Sequence, residues 1–104
     1  MLPEKNRIKK KKDFEAIFKN GKKVQEGCLF LKMAKNDLGY SRFAFIVSQK
    51  VSKSAVKRNK IRRQLVEIIA KREVKPGLDV VVVVLPGIKN ASLNLERLII
   101  KANV

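Results

Sequence analysis

The sequence predicts a small, strongly basic α+β domain. Apolar residues recur with helical spacing in some stretches and with strand spacing in others, in the order helix, strands, helix, strand, helix. One run, LDVVVVVLP at 78–86, is too continuously β-branched for a strand wetted on one face. The 104 residues are 45% hydrophobic, enough for one modest core despite a formal net charge of +16.

Residues 1–12 read as a basic N-terminal arm, with six cations and no acid between Lys5 and Lys12. Such a run is either a mobile solvated tail or an arm for nucleic acid. Asp13 has the character of a cap or first-turn residue for FEAIFKNG. There Phe14, Ile17 and Phe18 fall at i, i+3 and i+4, and Gly21 supplies a stop, which predicts a helix of about two turns. In CLFLKMAK, 28–35, Leu29, Leu31 and Met33 alternate with Phe30, Lys32 and Ala34, and the first set is expected to face the core. Asn36-Asp37-Leu38-Gly39 signals a turn. YSRFAFIVSQK then puts Phe43, Phe45 and Val47 on one face and Arg42, Ala44, Ile46 and Ser48 on the other. The two runs are expected to pair as an antiparallel hairpin, with residues 22–26 as a short edge strand.

Ser52 or Ser54 is expected to cap a second helix from about 55 to 73, whose core stripe is Ile61, Leu65 and Ile68. Pro76-Gly77 ends the connection to the β-branched strand, which should be covered on both faces. Asn90 to Ser92 begin a last helix with Leu95, Leu98, Ile99 and Ala102 apolar. No internal repeat or linker divides the chain, so residues 1–104 are expected to form a single domain. A strand, a crossover helix and a buried strand imply a mixed sheet with helices packed on it.

Composition removes several chemistries. Histidine is absent, and with it the usual general base and every Ser-His-Asp or Cys-His arrangement. Cys28 is the one cysteine, expected to be an inert, partly buried strand residue, so one chain builds no disulfide or cysteine-based zinc site. The nine acids are scattered along the chain; Asp13 and Glu15 lie close in sequence but point to different sides of a helix. Composition thus points to no catalytic residue or metal ligand set, although a paired-carboxylate site can still be assembled in space from acids distant in sequence. No stretch approaches the ~18 apolar residues of a spanning helix, and the N-terminus lacks the apolar segment of a signal peptide. A cytoplasmic protein without a membrane role is expected.

Seven cations and no acid lie between Lys50 and Arg63, in KVSKSAVKRNKIRR. They sit at a helix start, where the dipole disfavours positive charge, and the pairs Lys53/Lys57 and Arg58/Arg62 repel at i,i+4. A polyanion is the simplest compensation, and nucleic acid is the first candidate. At 100° per residue, Arg58, Arg62, Asn59 and Arg63 cover roughly a 140° arc beside the apolar stripe. Arginine forks phosphate bidentately, and asparagine reaches a phosphate, a ribose hydroxyl or a base edge. A solvated helix face is the bland alternative. A membrane-surface helix fits poorly, because the apolar side lacks aromatic residues. A DNA-recognition helix lacks a preceding partner helix.

The stretch Ala55-Val56-Lys57-Arg58-Asn59-Lys60-Ile61-Arg62-Arg63 resembles the signature of the bacterial ribonuclease P protein subunit. The basic arm with DFEAIFKNG, the FAFIVSQKV strand before the helix and the strand after PGLD support the resemblance, which covers nearly the whole chain. Lys60 stands where the pattern has arginine, Lys53-Ser54 where Gly-Asn is common, Val66 where a basic residue is usual and Lys32 where an aromatic is frequent. The resemblance implies an αβββαβα sandwich with a mixed central sheet and a left-handed βαβ crossover, of the ribosomal protein S5 domain 2-like kind, where the general rule would have given the right hand.

The resemblance also implies a protein that binds ribonuclease P RNA and the 5′ leader of precursor tRNA. The RNA subunit, with Mg2+, performs the cleavage, and no cofactor is held by the protein alone; no obligate protein partner is implied. Lys53, Lys57, Arg58, Asn59, Lys60, Arg62 and Arg63 are the implied contacts to the catalytic RNA. Phe14, Phe18, Phe30, Lys32, Ser48 and Lys50 are the implied leader contacts, with stacking of single-stranded bases on the rings worth roughly 1–3 kcal/mol per base. From spacing alone, Phe14 and Phe18 are equally a core pair. Two other readings remain at this point: a small basic ribosomal or RNA-chaperone protein, and an autonomous metal-dependent nuclease, which requires carboxylates brought close in the fold.

Overall fold

A computed structural model describes residues 3–72 and 74–102. A 3-10 turn at Glu4–Asn6 leads into α1 (Lys11–Asn20), β1 (Lys22–Glu26), β2 (Leu29–Lys35), β3 (Arg42–Val47), α2 (Ala55–Lys71), β4 (Leu78–Val84) and α3 (Ala91–Ala102). The four strands form one mixed sheet in the order β1-β2-β4-β3. The β1–β2 and β2–β4 pairs are antiparallel and the β3–β4 pair is parallel. The end of the second helix expected at residue 73 lies outside the described residues, as do residues 1 and 2 of the basic arm.

Alternation along the strands divides the molecule into three layers. Leu29, Leu31, Phe43, Val47, Val80, Val82 and Val84 face α2 and α3, where they meet Leu65, Ile69, Leu95, Leu98 and Ile99. Val81, with Ala34, Ala44, Ile46 and Val83, faces Ile8, Phe14 and Ile17 on the other side. The valine run is therefore buried on both faces, as its composition required. Leu65 and Ile69 form the innermost part of the α2 stripe, whereas Ile61 and Ile68 are partly buried beside it.

The expected hairpin between 28–35 and 40–50 does not form, because β4 lies between the two strands. A strand apolar on both faces buries more surface in the centre of the sheet than at its edge, and β4 takes that place. The antiparallel hairpin is instead β1–β2, closed by Gly27 and Cys28, with Gly27 at φ 59° as a two-residue turn requires. Cys28 thus lies in a turn and not in the strand. The Asn36–Gly39 signal is a turn, but one that carries the chain past the start of β4. The Asn36 side chain organises it, accepting from the Leu38 N–H at 3.0 Å and donating to the Tyr40 carbonyl at 3.2 Å, while the Asn36 N–H donates to the Gly77 carbonyl at 2.8 Å.

Gly21 ends α1 by close approach. Its N–H donates to the Ile17 carbonyl at 2.7 Å, and a Cβ there would lie 2.3 Å from that oxygen. The basic segment ahead of α1 is docked onto the sheet in its described part: Arg7 bridges to Phe43 on the outer edge of β3, the Ile8 N–H donates to the Phe43 carbonyl at 3.0 Å, and Ile8 is buried. An apolar residue amid the cations supplies the anchor that charge counting hides.

Candidate nucleic-acid interface

The start of α2 is built by two serines. The Ser54 hydroxyl caps the helix, accepting from the Lys57 N–H at 3.3 Å, and the Ser52 hydroxyl accepts from the Ser54 N–H at 3.2 Å. Arg58 folds back to donate to the Ser52 carbonyl at 2.8 Å. Arg62 donates to the Asn59 side-chain oxygen at 2.6 Å and to the Val47 carbonyl at 3.4 Å. Two arginines of the motif are therefore held by the backbone around the helix start, with guanidinium donors remaining for a ligand. Lys53, Lys57, Asn59, Lys60 and Arg63 are exposed.

An open groove of about 830 Å³ runs along β3 between the N-terminal half of α1 and the face of α2. Ile8, Phe14, Phe43, Ala44 and Phe45 line one part of it. Asn59, Arg62 and Arg63 line another, with Arg7 as a further cation and Glu67 as the acid. Val56, 74% exposed, and Val66 extend its apolar surface. Apolar rings beside guanidinium groups suit a single strand, whose bases offer π faces and whose backbone is anionic. Phe14 and three motif residues thus come together, whereas Lys53, Lys57, Arg58 and Lys60 lie outside the groove lining.

The remaining expected contacts are dispersed around α1 and the sheet. Phe18 is 38% exposed, one turn beyond Phe14. Phe30 and Lys32 lie on the α1 side of β2, opposite in facing to Leu29 and Leu31. The Lys23 ammonium sits 4.6 Å from the centroid of the Phe30 ring, so one π face is already occupied. Lys32 donates to the Phe18 carbonyl at 3.2 Å, on the last turn of α1. Ser48 and Lys50 are exposed just beyond the end of β3.

Charge reasoning missed the pairing of Arg42. Its guanidinium spans Asp79, at 2.8 and 2.6 Å, and reaches Asp13 at 3.3 Å; Asn36 also donates to Asp79 at 2.8 Å. Burial raises the Asp79 pKa, but the hydrogen bonds from Arg42 and Asn36 and the Arg42 charge outweigh it, and the carboxyl is held below its ordinary value. The Asp79 hydrogen bond raises the Arg42 pKa against its own desolvation. The signal was present in the sequence: an aspartate in a strand covered on both faces demands a partner. The fold does bring two carboxylates near each other, but around a guanidinium, whose charge opposes a divalent cation at that place. Among the described residues no three His, Cys, Asp or Glu side chains converge as a metal site. No helix among them is long and apolar enough to cross a membrane.

Residues 2–100 match the family model described as Ribonuclease P. The ribonuclease P protein component of Synechocystis sp. is 37% identical over 99 residues, covering 92% of this chain and 78% of its own. That of Pseudanabaena sp. is 34% identical over 112 residues, covering 100% and 97%. The solved structure of the Staphylococcus aureus RNase P protein superposes with a TM-score of 0.85 at 28% identity, covering 95% of this chain and 96% of that one. A match across almost the whole length, shared by sequence and by fold, places the chain in the ribonuclease P protein component family.

Proposed function

We propose that this chain, as the protein subunit of ribonuclease P, docks on the catalytic RNA through the first half of α2 and holds the 5′ leader of precursor tRNA beside α1. The observation that carries the proposal is the groove that joins Phe14 to Asn59, Arg62 and Arg63 along β3. Phe14 and Phe18 supply stacking surfaces for leader bases, Phe30 a further one shared with Lys23, and Lys32, Ser48 and Lys50 polar contacts around α1 and the end of β3. Lys53, Lys57, Arg58, Lys60, Arg62 and Arg63 neutralise phosphates of the RNA subunit, with Asn59 as a polar contact among them. Mg2+ belongs with that RNA, and the protein contributes affinity and substrate position. The compartment in keeping with this role is the cytoplasm.

The test is reconstitution with the RNA subunit at low magnesium. The protein is expected to stimulate 5′ cleavage of precursor tRNA, and Phe18→Ala to weaken binding of leader-bearing substrate by about five- to tenfold while sparing mature tRNA. Absence of stimulation returns the chain to the ribosomal or RNA-chaperone reading. Equal losses on both substrates assign Phe18 to packing alone.

A further inference from the structure

Helix α1 is lightly anchored. Ile17 is its one fully buried residue among those described, and Phe14 packs beside it partly exposed. Its first turn has no side-chain cap. Two polar contacts hold its ends instead. At the start, Asp13 is gripped at 3.3 Å by Arg42, which is itself fixed to β4 by its two bonds to Asp79. At the end, the Lys32 ammonium on β2 donates to the Phe18 carbonyl at 3.2 Å, one of the terminal carbonyls that the helix leaves without an internal partner. The two clips bracket the two rings: Asp13 immediately precedes Phe14, and the carbonyl held by Lys32 belongs to Phe18 itself.

We infer that Arg42 and Lys32 are positioning residues for leader recognition, clamping the two ends of α1 to the sheet so that Phe14 and Phe18 stand at a fixed height above it. This rests on the leader reading given above. It reassigns Lys32 from a direct leader contact to a hydrogen-bond donor that acts through α1. Stacking demands rings held in a fixed position, and a short helix anchored by one buried and one partly exposed apolar side chain is free to rock at its ends. Each clip removes one direction of that rocking, and the ordering cost is met in folding and not on binding the leader.

The experiment uses the reconstituted holoenzyme with Asp13→Ala and Lys32→Met. Both leave the Arg42–Asp79 pair intact, so the core pairing survives. Each is expected to weaken binding of leader-bearing precursor by about fivefold, the order of one partly exposed ion pair for Asp13 and of one charge-assisted hydrogen bond for Lys32, with affinity for mature tRNA and for the catalytic RNA unchanged. The amides of α1 should exchange about fivefold faster in the free protein while those of β4 keep their rates. The salt dependence of leader binding separates the roles of Lys32. An unchanged slope supports positioning, and a slope reduced by one phosphate's worth makes Lys32 a direct contact and overturns its part in the clamp. Lys32→Arg, which keeps a donor, should restore the affinity. If Phe18→Ala shows a leader-specific loss but Asp13→Ala and Lys32→Met do not, the clamp fails while the leader reading stands. If Phe18→Ala shows none, both fall.

Discussion

Asp79 shows how one buried carboxylate organises the α1 side of this sheet. It is 7% exposed, and an isolated charge at that depth is untenable. Arg42 answers it from the neighbouring parallel strand, where the two residues are register partners, and Asn36 answers it from the preceding loop. A pair of this kind adds less to stability than its geometry suggests, but removing one member leaves the other buried and alone. Asp79→Asn should therefore cost about 3 kcal/mol at neutral pH, measured by urea unfolding. The Asp79 pKa is lowered in the fold relative to 3.8. Its contribution is thus complete above that value and disappears as pH falls through the lowered folded one. The stability gap between the parent chain and Asp79→Asn should be constant near neutrality and shrink below about pH 4. A gap that persists into stronger acid would mean that packing, not charge, sets the cost.

At the scale of elements, α2 is a helix that starts against its own electrostatics. Its first turn holds no acid and its leading residues are cationic, so the dipole and the like charges both oppose it. The Ser54 cap and the Leu65–Ile69 anchor compensate from opposite ends. Ser54→Ala should lower stability by about 1 kcal/mol and weaken RNA-subunit binding as well, because the same turn fixes Arg58 on the Ser52 carbonyl. A loss of stability with unchanged RNA affinity would detach the cap from the docking surface. Individual elements were legible because each carries its own period: the valine strand, the alternating Leu29–Leu31–Met33 face and the stop at Gly21 all stand where their spacing put them. Pairing was not, because the β2–β3 turn signal at Asn36–Gly39 fits a hairpin locally while the decision depends on β4, some forty residues later. For the same reason the Arg58–Arg63 arc could be drawn on one helix, whereas its meeting with Phe14 across β3, and the grip of Arg42 on Asp13, exist only once the sheet is assembled.

The whole molecule carries +16 and spends few of those charges internally. The ion pairs recorded among the described residues draw on Lys9, Lys11, Arg42 and Lys101, and none draws on a cation between Lys50 and Arg63. Most of these pairs are exposed and contribute little, so salt has little attraction to screen within the fold and much repulsion. Stability and binding should consequently respond to salt with opposite signs. Raising monovalent salt from about 0.05 to 0.5 M should raise the Tm of the free protein, because the Debye length shrinks to about 4 Å and the repulsion among the cations of α2 is screened. Over the same range the affinity for the RNA subunit should fall linearly on logarithmic axes, by roughly 0.7–0.9 per phosphate neutralised. Arg63→Ala, on the exposed arc of α2, should reduce that slope by about one phosphate and leave the Tm of the free protein unlowered. Bound RNA replaces the salt, neutralising the same cations and stabilising the fold by linkage, so the Tm of the complex should exceed that of the free protein most at low salt. A free protein whose Tm falls with salt would mean that the α2 charges are already balanced within the chain, and the surface would lose its claim on a polyanion.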